Sequence, residues 1–109
     1  MIKTNAQKIY DAVGAQAVLT EPADLRQYLT GLSTSFGYVL SDKKGNTFYT
    51  DTRYLEAVSK ALENTDIKVK KFEAPLENLL KGYKEVAVPL SKTFYPDYKR
   101  LIDAGLKVV

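Results

Sequence analysis

The apolar positions near the start of the chain follow the spacing of an amphipathic helix. They recur mainly at three- and four-residue intervals, and they are Ile2, Ala6, Ile9, Tyr10 and Val13. Because an α-helix turns once every ~3.6 residues, this spacing places them on one face. The pattern predicts a first helix from about Thr4 to Val13, which Gly14 can end by adopting positive φ.

The next stretch combines a strand pattern with a short helical one. The mostly apolar run Ala15–Thr20 is typical of a strand that is buried on both faces. Pro22 then breaks the strand, because proline lacks the backbone N–H that a sheet requires. We expect a helical turn that stops near Gly31 and runs through Leu25, Tyr28 and Leu29.

A β-hairpin is the clearest element in the pattern. Two aromatic and β-branched runs, Ser35–Leu40 and Asn46–Thr50, flank a polar loop that begins at Ser41 and ends at Gly45. Glycine adopts positive φ without steric cost, as tight connections between strands often require. The two runs are therefore predicted to pair across this loop.

Helical and strand patterns continue to alternate in the second half of the chain. An amphipathic helix is predicted from the spacing of Tyr54, Leu55, Val58, Ala61 and Leu62. A half-buried strand near the sheet margin is predicted next, where lysines nearly alternate with Ile67, Val69 and Phe72. We then expect a helix, a strand, a helix capped by Gly105 and a strand, at Pro75–Lys81, Glu85–Val88, Phe94–Ile102 and Leu106–Val109.

This alternation, with short connections, predicts the fold class. We expect an α/β fold in which one layered domain, residues 1–109, has a mixed, mostly parallel β-sheet flanked by helices. The hairpin adds an antiparallel pair to that sheet. A length of 109 residues and an apolar content of 45% suit one domain with one core.

Composition removes several kinds of chemistry. The chain contains no histidine and no cysteine, which excludes a disulfide framework, a thiolate nucleophile, a histidine-based zinc site and a Ser-His-Asp triad within it. No glycine-rich phosphate motif is present, and no two carboxylates are spaced as an acid/base pair. Catalysis by this chain alone is therefore not expected.

Charge and hydropathy bear on partners and location. The net charge is +3, and the densest basic cluster, Lys68 to Lys71, is flanked by Asp66 and Glu73. Such a cluster is typical of a solvated face rather than a nucleic-acid footprint. No run of 18 apolar residues and no signal peptide are apparent, so we expect a cytoplasmic protein that binds neither membranes nor nucleic acid.

The polar segment between the hairpin and the next helix is the main candidate for function. In Thr50-Asp51-Thr52-Arg53-Tyr54, Asp51 can cap the helix by accepting a hydrogen bond from a free backbone N–H, and Arg53 can project from the first turn. A capped helix with an unpartnered surface arginine is the alternative interpretation. The loop Ser33-Thr34-Ser35-Phe36 can likewise be a plain polar connection.

Two segments together carry a resemblance to a known family. They are Tyr28-Leu29-Thr30-Gly31 with its small-residue loop, and Thr50-Asp51-Thr52-Arg53-Tyr54-Leu55 after the hairpin. This order of elements resembles the amino-terminal domain of the creatinase and Xaa-Pro peptidase family, which includes aminopeptidase P and prolidase. The resemblance covers nearly the whole chain.

The resemblance implies a division of labour within a longer protein. In that family the amino-terminal domain is non-catalytic, and a carboxy-terminal domain holds two divalent metal ions through two Asp, one His and two Glu. It implies no cofactor in this chain and two ions, Mn, Co or Zn, in a missing domain. The implied partners are that catalytic domain, further copies in a homo-oligomer and a proline-containing peptide substrate. We expect the chain to be a fragment of such a peptidase.

The resemblance also implies a role for particular residues. Arg53 corresponds to an arginine positioned to contact substrate, through a bidentate grip on a peptide carboxylate. Asp51 lies beside it, and Ser33, Thr34 and Ser35 correspond to a loop that in some relatives leans over the active site. Family members usually have glycine where this chain has Thr52, so a left-handed backbone there would weaken the assignment of Arg53.

Two other functions remain open from the sequence. The same pair of domains occurs without activity in the large subunit of a histone chaperone, so an inactive protein- or peptide-binding module is an alternative. The slightly basic composition and the lack of an acidic patch disfavour basic histone tails as its ligand. A freestanding small-ligand binder is a third possibility, and it requires a well-formed pocket.

Overall fold

The computed structural model describes residues 2–21, 23–73, 75–88 and 107–108. Within them lie the helices α1 (Asn5–Val13), α2 (Ala23–Thr30) and α3 (Thr52–Leu62), and a 3-10 helix, Leu76–Leu80. The strands are β1 (Ala17–Thr20), β2 (Tyr38–Asp42), β3 (Gly45–Thr50), β4 (Ile67–Lys71), β5 (Glu85–Val86) and β6 (Lys107–Val108).

The strands form a mixed sheet, as predicted. Four strands run in the order β1-β2-β3-β4, with the first two pairings antiparallel and β3–β4 parallel. Strands β5 and β6 pair in parallel, and Ala87 bridges Val18 of β1 in parallel through hydrogen bonds to Ala17 O and from Leu19 N, each 2.9 Å long. Antiparallel pairing thus predominates within the four-stranded sheet. The pairing of β1 with Ala87 and the pairing of β5 with β6 are both parallel.

The antiparallel β1–β2 pair was not anticipated from the alternation of helices and strands. Thr20, the last residue of β1, pairs with Val39 near the start of β2. The connection between β1 and β2 therefore begins and ends at the same end of the sheet. The segment that contains α2 therefore returns to the end of the sheet from which it started, and no crossover occurs.

The core lies on both faces of the sheet. On one face, α1, α2 and α3 cover the inward side chains of Val39, Phe48 and Ile67. On the opposite face, the 3-10 helix covers Tyr38 and Leu40. Phe48 is fully buried, and removal of an aromatic side chain of this kind from water contributes about 1.5–3 kcal/mol.

Most predicted boundaries are confirmed. Thr4 caps α1 through a hydrogen bond from Ala6 N, and Gly14 ends it at φ 73°. Strand β4 lies at the edge of the four-stranded sheet, and the predicted helix Pro75–Lys81 is a 3-10 helix. The helix predicted at Phe94–Ile102, with its cap at Gly105, falls outside the described residues.

The hairpin differs in detail from its prediction. Strand β2 begins at Tyr38 rather than Ser35, and the predicted loop is too long because Ser41 and Asp42 pair with Asn46 and Gly45. The turn therefore consists of two lysines, followed by Gly45 at φ 140°.

None of the helices in the described part of the chain has the length and apolar character needed to span a bilayer.

Candidate functional site

The candidate site forms where β3 ends and α3 begins. Asp51 has an extended backbone, and its Oδ1 accepts a hydrogen bond of 3.1 Å from Arg53 N, which confirms Asp51 as the N-cap. Thr52 is the first residue of α3, and no described residue other than glycine has positive φ. Threonine in place of the family's glycine is therefore compatible with the backbone at this position.

Arg53 is held by the residue that caps its helix. Its Nε and Nη2 donate to Asp51 Oδ2 at 3.0 and 2.7 Å, while 67% of the arginine side chain is exposed. Hydrogen bonding to Arg53 lowers the pKa of Asp51, and the same contact raises the pKa of Arg53. The interpretation of Arg53 as an unpartnered arginine is therefore wrong.

Tyr54 connects this arginine to the preceding loop. The guanidinium carbon of Arg53 lies 5.3 Å from the centroid of the Tyr54 ring, within the range of a cation–π contact. Tyr54 Oη lies 2.6 Å from Ser35 Oγ, and this hydrogen bond lowers the pKa of the phenol. One continuous set of contacts thus runs from Asp51 through Arg53 and Tyr54 to Ser35.

The other two loop residues differ in environment. Ser33 is exposed, and no contact joins it to the Arg53 group. Thr34 is half-buried, and its carbonyl oxygen accepts a hydrogen bond of 2.6 Å from Arg26 Nη2. The structure therefore brings Asp51, Arg53 and Ser35 together through Tyr54. Thr34 is held by Arg26 instead, and Ser33 takes no part in these contacts.

Arg26 is a residue that the sequence reasoning missed. It is buried in α2, with 3% of its surface exposed, and donates to the carbonyl oxygens of Glu21 and Thr34. Burial lowers the pKa of its guanidinium, and its buried Nε has no hydrogen-bond partner in the described structure. The signal was available, since helical spacing places Arg26 on the same face as Leu29 and Thr30.

The group can bind an anion, whereas its residues do not suit a metal. Arg53 presents N–H groups beyond the two that contact Asp51, and guanidinium groups bind carboxylates in a planar, directed way. Within residues 2–21, 23–73, 75–88 and 107–108, no three metal-ligating side chains cluster, and the whole chain lacks histidine and cysteine. The donors of the two-metal site expected for the family are thus not found in the described domain.

Comparison with known proteins fixes the family. Residues 3–107 match the family model described as the creatinase/prolidase N-terminal domain. The chain belongs to this family. The sequence resemblance is thereby confirmed over residues 3–107. No protein of curated function matches the chain significantly.

Solved structures with the same fold include both whole peptidases and isolated domains. An Xaa-Pro dipeptidase from Bacillus anthracis is 22% identical with a TM-score of 0.73, and the match covers 96% of this chain but 31% of that one. The prolidase from Pyrococcus horikoshii is 25% identical with a TM-score of 0.72, and 96% and 31% of the two chains are covered. The present chain therefore spans about a third of their length.

A shorter relative matches almost end to end. The structure of an aminopeptidase P from Streptococcus thermophilus is 18% identical with a TM-score of 0.79, and the match covers 95% of this chain and 88% of that one. The fold described above therefore occurs both on its own in solved structures and as about a third of longer ones.

Proposed function

We propose that this chain is the non-catalytic amino-terminal domain of a metal-dependent Xaa-Pro peptidase. In this proposal it forms part of the wall of the substrate entrance and contributes contacts between subunits. Hydrolysis takes place in a carboxy-terminal domain that holds two divalent metal ions, which polarise the scissile carbonyl and activate water. Membership of the creatinase/prolidase N-terminal domain family supports this assignment.

The observation that carries the proposed role is the set of contacts from Asp51 to Ser35. Asp51 fixes the Nε and Nη2 edge of Arg53, and the ring of Tyr54 lies beside the guanidinium. An arginine held in this way loses less conformational entropy when it binds a ligand than a free surface arginine does. Arg53 is therefore preorganised to present its remaining N–H groups to a peptide carboxylate.

In this proposal the amino-terminal domain binds the substrate and takes no part in the chemical step. Arg53 binds the terminal carboxylate of a short proline-containing peptide, and the Ser33–Ser35 loop lies at the entrance and limits the size of the substrate. Arg26 maintains that loop by holding the Thr34 carbonyl oxygen. The reaction itself needs no group from this domain, in agreement with the absence of histidine and cysteine from the chain.

The first test is the sequence encoded after Val109. We expect it to contain two Asp, one His and two Glu in the order of a dimetal peptidase. A reading frame that lacks them would contradict the proposal, and an inactive peptide-binding module would then be the better assignment.

The second test is kinetic and uses the full-length protein with Mn²⁺, Co²⁺ or Zn²⁺. We expect Arg53→Gln to raise KM for an Xaa-Pro dipeptide roughly tenfold with little change in kcat, because the lost contact exists in the ground state as well. The amidated dipeptide, which lacks the carboxylate, should show no such difference. Lys60→Gln, on the same helix, is the matched control, and equal effects on both substrates would contradict the role of Arg53.

A further inference from the structure

A concave site lies mainly on the face of the sheet opposite α1, α2 and α3, and its lining also includes Gln7 of α1. It is a cleft of about 540 Å³ between the outer half of the hairpin and the segment that follows the 3-10 helix. Leu40, Thr47 and Tyr49 line it from the sheet, and Leu79 and Tyr83 line it from the other side. Clefts of this volume hold small-molecule ligands in many proteins.

Four lysines from three separate parts of the chain line this cleft. Lys68 and Lys70 belong to β4, pair with Thr47 and Tyr49 of β3, and share the face opposite to Val69. Lys44 comes from the hairpin turn, and Lys81 follows the 3-10 helix. Lysine side chains from residues far apart in sequence thus line one concavity.

The two carboxylates in the cleft have other partners. Asp42 Oδ1 accepts a hydrogen bond of 2.8 Å from Lys44 N, and Asp42 Oδ2 accepts one from Tyr83 Oη. Asp66 Oδ1 accepts hydrogen bonds of 2.9 and 2.7 Å from the backbone N and Oγ1 of Thr4. Both carboxylates are therefore used to fix the fold around the cleft.

The lysine side chains of the cleft have no ion-pair partner among the described residues. Within residues 2–21, 23–73, 75–88 and 107–108, none of the four pairs with a carboxylate. Four lysines against two aspartates leave two net positive charges in the cleft. This excess of positive charge attracts an anion.

The aromatic side chains of the cleft support binding of an anion. Burial raises the pKa of the Tyr49 phenol, and burial together with the hydrogen bond to Asp42 raises the pKa of Tyr83. Both phenols are therefore neutral at physiological pH and add no negative charge to the lysines. The neutral Tyr49 phenol can also donate a hydrogen bond to an anionic oxygen, whereas the Tyr83 hydroxyl already donates to Asp42.

We propose that the cleft lined by Lys44, Lys68, Lys70 and Lys81 binds a small molecule that carries several phosphate charges, such as a short polyphosphate or a polyphosphorylated metabolite. Lysine ammonium groups act as point charges that bind phosphate oxygens from any direction, and a ligand with several charges is needed to engage four of them. The concave shape favours a compact ligand over an extended acidic peptide, which would lie along a flat surface.

The test is a titration of the 109-residue chain with inorganic tripolyphosphate, followed by backbone amide NMR and by calorimetry at low and moderate salt. We expect saturable shifts at the amides of Thr47, Lys68, Lys70 and Lys81. Affinity should fall by at least roughly tenfold in Lys68→Gln/Lys70→Gln, because each lost charged hydrogen bond has a large effect. Lys68→Arg/Lys70→Arg should retain most of the affinity.

The control has the same change in net charge. In Lys8→Gln/Lys60→Gln both substitutions lie on exposed helical positions that do not line the cleft, so affinity should be almost unchanged. Circular dichroism and thermal unfolding establish that each variant is folded. Equal loss of affinity in the two Gln variants, absence of saturable binding, or tighter binding of an oligoglutamate peptide would each overturn the proposal.

Discussion

Ser35 Oγ and Tyr54 Oη lie 2.6 Å apart, and this contact joins the loop before β2 to the first turn of α3. The two residues are separated by 19 positions and by the whole hairpin. Since Tyr54 also lies beside Arg53, the position of the loop and the orientation of the arginine are linked through one aromatic ring.

Removal of the Tyr54 hydroxyl should loosen that loop. In Tyr54→Phe the aromatic ring remains and the hydrogen bond to Ser35 is lost, so we expect faster amide hydrogen exchange at residues 33–36. The free energy of unfolding should fall only slightly, since the contact is exposed. Tyr28→Phe is the control, because Tyr28 is 58% exposed in α2 and its contact with Asn5 uses the backbone carbonyl. Equal exchange in the two variants would exclude a role of the contact in ordering the loop.

Substitution of the buried arginine should have a larger effect. Arg26→Met keeps much of the side-chain volume but leaves the Glu21 and Thr34 carbonyl oxygens without their donor, so we expect a loss of about 1–3 kcal/mol in urea unfolding. Arg26→Lys should be intermediate, because an ammonium group cannot span both carbonyls in the way a guanidinium does. Arg53→Met, at an exposed arginine, is the control and should lower stability much less. A larger loss in Arg53→Met than in Arg26→Met would contradict this account.

The ion pair between Asp51 and Arg53 should make the stability of the fold depend on pH in the acidic range. Because the pKa of Asp51 is lowered from its usual 3.8 in the folded state, the unfolded chain binds its proton first as the pH falls. The stabilisation is therefore complete above the usual carboxyl pKa and is lost as the pH falls through the lower folded value. Asp51→Asn retains a helix cap but has no carboxylate to titrate.

Thermal unfolding measured across the acidic range tests this effect. We expect the difference in Tm between the wild-type protein and Asp51→Asn to shrink as the pH falls below the usual carboxyl value. Asp24→Asn, at another exposed aspartate near a helix start, provides a comparison for general loss of a negative charge. A difference that stays constant down to strongly acidic pH would show that Asp51 acts as a cap alone.

The backbone at Gly37 lies so close to the buried Phe48 ring that a side chain at this position would clash with it. A Cβ atom there would lie 2.8 Å from two ring atoms of Phe48 and 3.1 Å from the Tyr49 carbonyl oxygen, and Phe48 is fully buried. Gly37→Ala should therefore destabilise the protein by about 1–3 kcal/mol. The double variant Gly37→Ala/Phe48→Leu should lose less stability than the two single variants lose in sum, because the smaller side chain relieves the clash. Strict additivity in urea unfolding would argue against the steric cause.

The features that the sequence predicted correctly are mostly local ones. Asp51 as a helix cap, and Gly14 and Gly45 at positive φ, depend on the residue and its immediate neighbours. The edge position of β4 also follows from its own pattern, since lysines alternate with apolar residues there.

The features that were missed depend on contacts between distant segments. The antiparallel direction of β2 relative to β1 requires the connecting segment to return to the same end of the sheet, which no local pattern specifies. The inward orientation of Arg26 depends on two carbonyl oxygens that only the folded loop supplies. The clash at Gly37 likewise exists only because β3 brings Phe48 beside it.

The anchoring of Thr4 to Asp66 has a consequence for the order of folding. These residues are 62 positions apart, yet the backbone N and Oγ1 of Thr4 both donate to the same carboxylate oxygen of Asp66, the residue before β4. During synthesis on the ribosome, α1 emerges before β4 and lacks this contact until Asp66 has left the exit tunnel. Closure of so long a segment is entropically unfavourable, so the amino-terminal helix should reach its final stability only after the hairpin and α3 have assembled.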